Sequence, residues 1–155
     1  MMGAGKTTVG RMLARRLKRP FHDSDQEVER RCGVRIPLIF DIEGEAGFRE
    51  REQQVVEEMT LWDDVVLATG GGVVTRPENR QALAGRGYVV YLYATVEEQV
   101  RRTRRDRRRP LLQKGDPEEV LRSLMAEREP LYREIADHII ETDGCSPRTV
   151  AQRLM

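Results

Sequence analysis

The run Gly3-Ala4-Gly5-Lys6-Thr7-Thr8, with Val9, Met12, Leu13 and Leu17 behind it at helical spacing, constrains this chain more than any other feature. Glycines let successive backbone N–H groups curl around one anion, and the following helix offers its positive end. The run closes the phosphate-loop pattern G-x-x-x-x-G-K-[ST], in which the lysine reaches the β- and γ-phosphates and the hydroxyl completes a magnesium shell. Gly3, Ala4, Gly5, Lys6, Thr7 and Thr8 are therefore expected to bind ATP, with Lys6 catalytic and Thr7 a Mg2+ ligand. A helix that merely begins after a glycine turn is the alternative, and the amphipathic helix behind the loop weighs against it. Counting back from Gly5, the first glycine of the pattern falls just before Met1. The loop normally follows a strand, so the expectation is that Met1 is a misplaced start.

Beyond the loop, strand and helix signals alternate. "HDSD" reads as a strand ending in carboxylates, and "GEAGFREREQQVVEEMTLW" as a helix with Phe48, Val55, Val56 and Met59 on one face. "DVVLATGGG" is a short apolar strand stopped by glycines. A polar helix from about Pro77 to Ala84, the strand "YVVYLY" and a helix from near Val96 follow. Next come a helix carrying Val120, Leu121, Leu124 and Met125, the strand "HIIET", and a last helix capped by Ser146 with Pro147 in its first turn. Such alternation predicts one α/β domain over residues 1–155, a parallel sheet flanked by helices in three layers. Ligands should then gather at the carboxyl ends of the strands, where the loop, "HDSD" and "TGGG" all fall.

Composition excludes several classes. Net charge is +1, so there is no whole-molecule basic field for nucleic acid or anionic membrane. No apolar run approaches the length of a membrane span. Cys32 and Cys145 lack metal-ligand spacing; two inert thiols are expected, with a disulfide left open. Residues 1–22 hold Lys6, Arg11, Arg15, Arg16, Lys18 and Arg19 and no acid, as an organellar leader would. The glycine loop accounts for the same residues, so a cytoplasmic protein is expected.

Asp23 and Asp25 flank Ser24, and in an extended segment residues two apart point the same way. One carboxylate could hold Mg2+ through water while the other orients or deprotonates a hydroxyl. Alternatively Ser24 or Asp25 caps the helix starting at "QEVERR". Gly70, Gly71 and Gly72 bring backbone close to a second ligand. Arg128 lies four residues after Leu124 and four before Tyr132, on an inward stripe if the helix runs through Pro130. Arg49 sits beside Phe48, with Glu52 one turn on to orient it. A buried arginine needs an anion, so two of them point to a substrate carboxylate. From Arg101 to Arg109 there are seven arginines. Most read as a solvated helix end, and an RNA-binding stripe lacks interleaved aromatics. Arg109, before "PLL", reads as an arginine carried on a lid.

Taken in order, "GAGKTTVGR", "DSD", "IPLIFDIEGEAGFREREQQV", "TGGGVV", "VRRTRRD", "RRPLL" and "EREPLYREIAD" resemble the shikimate kinases over nearly the whole chain. The resemblance implies transfer of the ATP γ-phosphoryl group to the 3-hydroxyl of shikimate, in aromatic amino acid biosynthesis. It implies that Asp25 contacts the ring hydroxyls and acts as base, and that Asp23 joins Thr7 at the Mg2+. Arg49 and Arg128 would clamp the shikimate carboxylate, with Gly70, Gly71 and Gly72 against the substrate. Arg109 would close onto the phosphates, and Arg102 and Pro147 would lie near adenine. A substrate-binding segment over about 24–52 and a lid over about 104–117 follow from the same likeness, as does a monomer acting on small molecules rather than nucleic acid or membrane. Cys145 departs from the polar or basic residue many relatives carry there.

The family's first strand lies mid-sheet. Without it, neighbouring strands should show unpaired edges around a trench. Several buried side chains at about 1.5–3 kcal/mol each would rival a typical total stability of about 5–15 kcal/mol. Two other readings stay open: another small-molecule kinase, such as a gluconate kinase, and a nucleotide- or RNA-binding protein without turnover.

Overall fold

The computed structural model describes residues 3–104 and 115–155. Its helices are α1 (Lys6–Leu17), α2 (Ser24–Cys32), α3 (Ile36–Met59), α4 (Pro77–Arg86), α5 (Val96–Thr103), α6 (Pro117–Ile135) and α7 (Pro147–Arg153). Its strands are β1 (Phe21–Asp23), β2 (Val66–Ala68), β3 (Val90–Tyr93) and β4 (His138–Glu141), and a 3₁₀ turn covers Gly71–Thr75. The alternation is as expected, and every described strand pair is parallel. Phe21 aligns with Val66 and Asp23 with Ala68; Val90 aligns with His138 and Tyr93 with Glu141.

The sheet is in two halves. Among the described residues β1 pairs only with β2, and β3 only with β4. Between the halves runs a trench of about 650 Å3, walled by β2 and β3. Val9 and Leu13 of α1 cover one face; Val73, Leu83 and Tyr132 cover the other. Each half carries its own core. Val28, Ile39, Phe48, Val55 and Met59 pack together beside Leu67. Val9, Val74, Tyr91, Leu92, Tyr132, Ile140 and Val150 form the second cluster, around β3 and β4.

Local chemistry explains the boundaries. Gly5 takes φ 83° at the head of α1, a left-handed conformation that glycine adopts without a Cβ penalty. In α3 the helical path breaks at Gly44 (φ 71°), turning the first arm away from the segment that carries Phe48 and Arg49. α6 runs through Pro130, which keeps Leu121, Arg128 and Tyr132 on one buried stripe. Ser146 caps α7 by accepting the Thr149 amide at 3.1 Å, with Pro147 in the first turn. Cys32 and Cys145 are both free thiols.

One local expectation fails. The strand of "HDSD" stops at Asp23, and Ser24 and Asp25 already belong to α2. The cap is Asp23 itself, whose Oδ1 accepts the amides of Asp25 (2.9 Å) and Gln26 (3.4 Å). The two carboxylates are thus not related by the two-residue period of a strand; one ends a strand and the other sits in a helical first turn. An aspartate accepting two otherwise orphaned helix donors is favourable enough to begin the helix two residues early.

Among the described residues, most arginines serve the surface. Arg30, Arg101, Arg122 and Arg133 each pair with a glutamate three or four residues away and are at least half exposed. That supports the solvated reading for Arg101. Such pairs contribute little individually, but they account for much of the charged composition without invoking a ligand.

Candidate active site

The phosphate loop and β1 meet directly. The Thr7 hydroxyl donates to Asp23 Oδ2 at 2.9 Å while Asp23 Oδ1 caps α2, so one carboxylate joins α1 to the end of β1. Magnesium is commonly held by one or two protein oxygens plus phosphates and waters. The Thr7–Asp23 pair fits that requirement. Among the described residues no group of three or more His, Cys, Asp or Glu could cage an ion.

Behind the loop stands Arg102. Its guanidinium donates to the Gly3 carbonyl (2.9 Å), to the Thr142 hydroxyl (3.1 Å) and carbonyl (2.9 Å), and to Glu98 (2.8 Å). Arg102 therefore ties the loop to α5 and to the end of β4. A Cβ on Gly3 would lie 3.1 Å from Thr103 and 3.2 Å from Arg102, besides the strain of φ 68°. The Cys145 amide bonds the Thr142 carbonyl, which brings the turn leading into Pro147 to the same corner. Arg109 and most of the 104–117 segment lie outside the described residues.

Across the cleft, α2, α3, α6 and the glycine triplet converge. Arg49 is 8% exposed and donates to Glu52 at 3.0 Å and to Glu45 at 3.3 Å. Arg128 is 3% exposed. Each guanidinium keeps a buried Nε–H with no hydrogen-bond partner, as does Glu52 Oε2. Leaving buried polar groups unsatisfied costs about 1–3 kcal/mol each, so these atoms keep hydrogen-bonding capacity that the described residues do not meet.

Space explains two of the three glycines. A Cβ on Gly72 would sit 2.2–2.4 Å from the Arg49 guanidinium. One on Gly70 would sit 2.8 Å from Asp25 Oδ1 and 3.1 Å from Glu52 Oε2. Gly71 contributes its carbonyl, which accepts the Tyr132 hydroxyl. Asp25, Arg49 and Glu52 thus meet around the triplet, and Arg128 shares the helix stripe of Tyr132.

Glu52 is fully buried, and its carboxyl is pushed up to about 7. Desolvation is the largest cause; Arg49 opposes it, the nearby Asp25 adds to it, and Arg128 opposes it. A helix neighbour of Arg49 was legible in the sequence. Missed were Asp23 as cap, Glu45 and Tyr132 as partners, and the anchoring of the loop by Arg102. Only the stripe position of Tyr132 offered a signal.

Comparison with known proteins places this arrangement. Residues 2–155 match the shikimate kinase family. The chain is 59% identical over 154 residues to a shikimate kinase of Pseudomonas aeruginosa strain LESB58, covering 99% of this chain and 90% of the relative. Over 154 residues it is 60% identical to one from Pseudomonas syringae pv. tomato, with the same coverage. Among solved structures, the shikimate kinase of Acinetobacter baumannii in complex with shikimate superposes with a TM-score of 0.97 at 56% identity, over 99% of this chain and 86% of that one. The Aquifex aeolicus enzyme gives 0.83 at 32% identity, over 99% and 89%. Agreement of this breadth in both sequence and backbone leaves one conclusion: the chain belongs to the shikimate kinase family.

Proposed function

We propose that this kinase transfers the γ-phosphoryl group of ATP to the 3-hydroxyl of shikimate, giving shikimate 3-phosphate, a step of aromatic amino acid biosynthesis. The observation that carries the reading is the pair of buried arginines, Arg49 and Arg128, each with an unsatisfied Nε–H. Two buried cations beside a glycine-lined floor call for a small anion with hydroxyls, and a ring carboxylate supplies it. The A. baumannii relative is one whose structure holds shikimate.

In this reading the backbone from Gly3 to Thr8 cradles the ATP phosphates and Lys6 neutralises the transferring group. Thr7 and Asp23 would hold Mg2+, which when bound would screen the phosphate charge. Asp25 stands by Gly70, placed to orient the attacking hydroxyl and accept its proton. Arg49 and Arg128 hold the carboxylate at the far end, with Gly71 and Gly72 beneath the ring. Glu52 keeps Arg49 in place and so acts as a positioning residue. Arg102 and the Pro147 turn would border the adenine, and residues 24–52 would form the substrate-binding arm; the family resemblance assigns Arg109 to the phosphates, on a segment outside the described residues. Little covalent work falls to the protein, since positioning and charge neutralisation dominate phosphoryl transfer. Exclusion of water protects the phosphoryl group.

A cytoplasmic location and a monomeric state belong to the same proposal; sedimentation at assay concentration tests the second. Among the described residues no helix is long and apolar enough to cross a membrane. The central test is ADP release by the purified chain with ATP, magnesium and shikimate. Turnover that needs shikimate and yields shikimate 3-phosphate is expected. ATP hydrolysis indifferent to shikimate would refute the assignment.

A further inference from the structure

The carboxylate end of the proposed site is divided between two elements. Gly70, Gly71 and Gly72 form a floor at the head of the 3₁₀ turn, and Arg128 stands on α6. The two must keep a fixed relation, yet successive glycines carry more backbone freedom than any other residues. The Gly70 carbonyl accepts the Val73 amide at 3.3 Å, and the Gly72 carbonyl accepts the Thr75 hydroxyl at 2.7 Å. Both partners belong to the turn itself, so they shape the floor without placing it. The Gly70 amide bonds Ser24 Oγ at 3.4 Å, which ties the first glycine to α2. The Gly71 carbonyl instead accepts the Tyr132 hydroxyl, from α6.

Tyr132 lies one helical turn beyond Arg128 on the buried stripe of α6, so the two side chains are neighbours. Burial pushes the Tyr132 phenol up to about 12, while the adjacent Arg128 guanidinium, and then Arg49, oppose that rise. The hydroxyl therefore keeps its proton at ordinary pH and serves as a donor. The residue is 7% exposed, and its ring stacks on Tyr91 with centroids 4.9 Å apart and planes at 27°. The Tyr91 hydroxyl donates to Glu129, which also holds Arg133 at the surface. Packing thus fixes the Tyr132 ring and leaves its polar end to meet Gly71. Packing alone would be served by phenylalanine. A buried hydroxyl costs stability unless a bond compensates it, and here that bond reaches the floor.

We propose that Tyr132 is a positioning residue for the substrate carboxylate, holding the Gly71 peptide and Arg128 in one fixed relation. The inference rests on the shikimate reading and extends it to a residue outside the clamp itself. Because the peptide is planar, a bond to the Gly71 carbonyl also sets the direction of the Gly72 N–H. It therefore fixes the backbone beside the Arg49 guanidinium, where a Cβ on Gly72 would not fit. Without the hydroxyl this peptide can turn, and the two arginines no longer face a floor of fixed shape.

The test is calorimetric titration of the 155-residue chain with shikimate and with its primary-amide analogue. Tyr132→Phe keeps the ring and removes the bond to Gly71. Tyr91→Phe is the control, since it keeps the stacked ring and loses only the bond to Glu129. Shikimate should bind Tyr132→Phe about threefold to tenfold more weakly than the parent. The preference for acid over amide should shrink by a similar factor, with affinity for magnesium ATP within about twofold. Tyr91→Phe should lower the melting temperature without moving that preference. Tyr132→4-aminophenylalanine, which restores a donor, should recover it. A merely structural role would lower both melting temperatures and leave the preference alone, which would overturn the proposal. An equal loss of preference in Tyr91→Phe, or no recovery in the amino variant, would also overturn it. Should Tyr132→Phe fail to fold, the amino variant decides by the same measure. Failure of the parent to bind shikimate is a separate result: it would refute the substrate reading itself, and this proposal with it.

Discussion

Replacing Gly72 with alanine should separate substrate binding from folding. The new Cβ would lie 2.2 Å from Arg49 Nη2 and 2.3 Å from Cζ. Unstrained contacts between such atoms are about 3.5 Å, so the guanidinium must retreat by roughly 1 Å. That retreat strains the 3.0 Å bond to Glu52 and moves the fork away from the proposed carboxylate position. Misplacement on this scale can lower turnover about 100-fold, or about 2.7 kcal/mol of transition-state stabilisation. Stability should change little. The obstructing atoms are the far end of a flexible side chain, and Gly72 is not at positive φ, so alanine also loses less chain entropy on folding. The control is Gly85→Ala in α4, where a Cβ meets nothing within 4 Å. It should stabilise by about 0.5–1 kcal/mol and leave kinetics alone. Shikimate titrations of ADP release, with urea melts of the same samples, read both quantities. Gly72→Ala with kcat/KM within about twofold of the parent would refute the placement of Arg49 over Gly72.

Glu52 predicts a pH dependence. Its folded carboxyl holds a proton up to about 7, against 4.5 for the ordinary group, so the folded state binds more protons across that window. Its contribution to stability is full below about 4.5 and is lost as pH rises through about 7, a change on the order of 3 kcal/mol. Urea melts across that range should show this decline for the parent and its loss in Glu52→Gln; parallel profiles would contradict it. Asp23→Asn keeps a competent helix cap but removes the charge expected at the metal. The variant should melt within about 0.5 kcal/mol of the parent and require more magnesium for half-maximal rate. An unchanged magnesium requirement would count against Asp23 as a metal ligand.

Much of this site was legible because its signals are local. The phosphate loop is contiguous, and Arg49 with Glu52, or Arg128 with Tyr132, are a helical turn apart. Inwardness followed from the company of Phe48 and Leu124. What escaped depends on contacts far apart in the chain. Arg102 bonds Gly3 across 99 positions, and Tyr132 bonds Gly71 across 61. Nothing in "VRRT" distinguishes Arg102, which braces the loop, from Arg101, which pairs with Glu98 at the surface. The Asp23 error has a different origin. Period-two reasoning assumed that the strand continued, and a local cap ended it.

The account turns on two buried guanidinium groups that complete their hydrogen bonding with a substrate carboxylate. Calorimetric titration of the chain with shikimate, and with the analogue whose carboxylate is a primary amide, tests this without depending on turnover. Losing a charge-assisted pair at a buried site is worth about 1.5–3 kcal/mol. The amide should therefore bind about 10- to 100-fold more weakly, and Arg49→Met should bring the two ligands close together. Equal affinity of acid and amide for the parent chain would contradict the assignment of Arg49 and Arg128 as the carboxylate clamp.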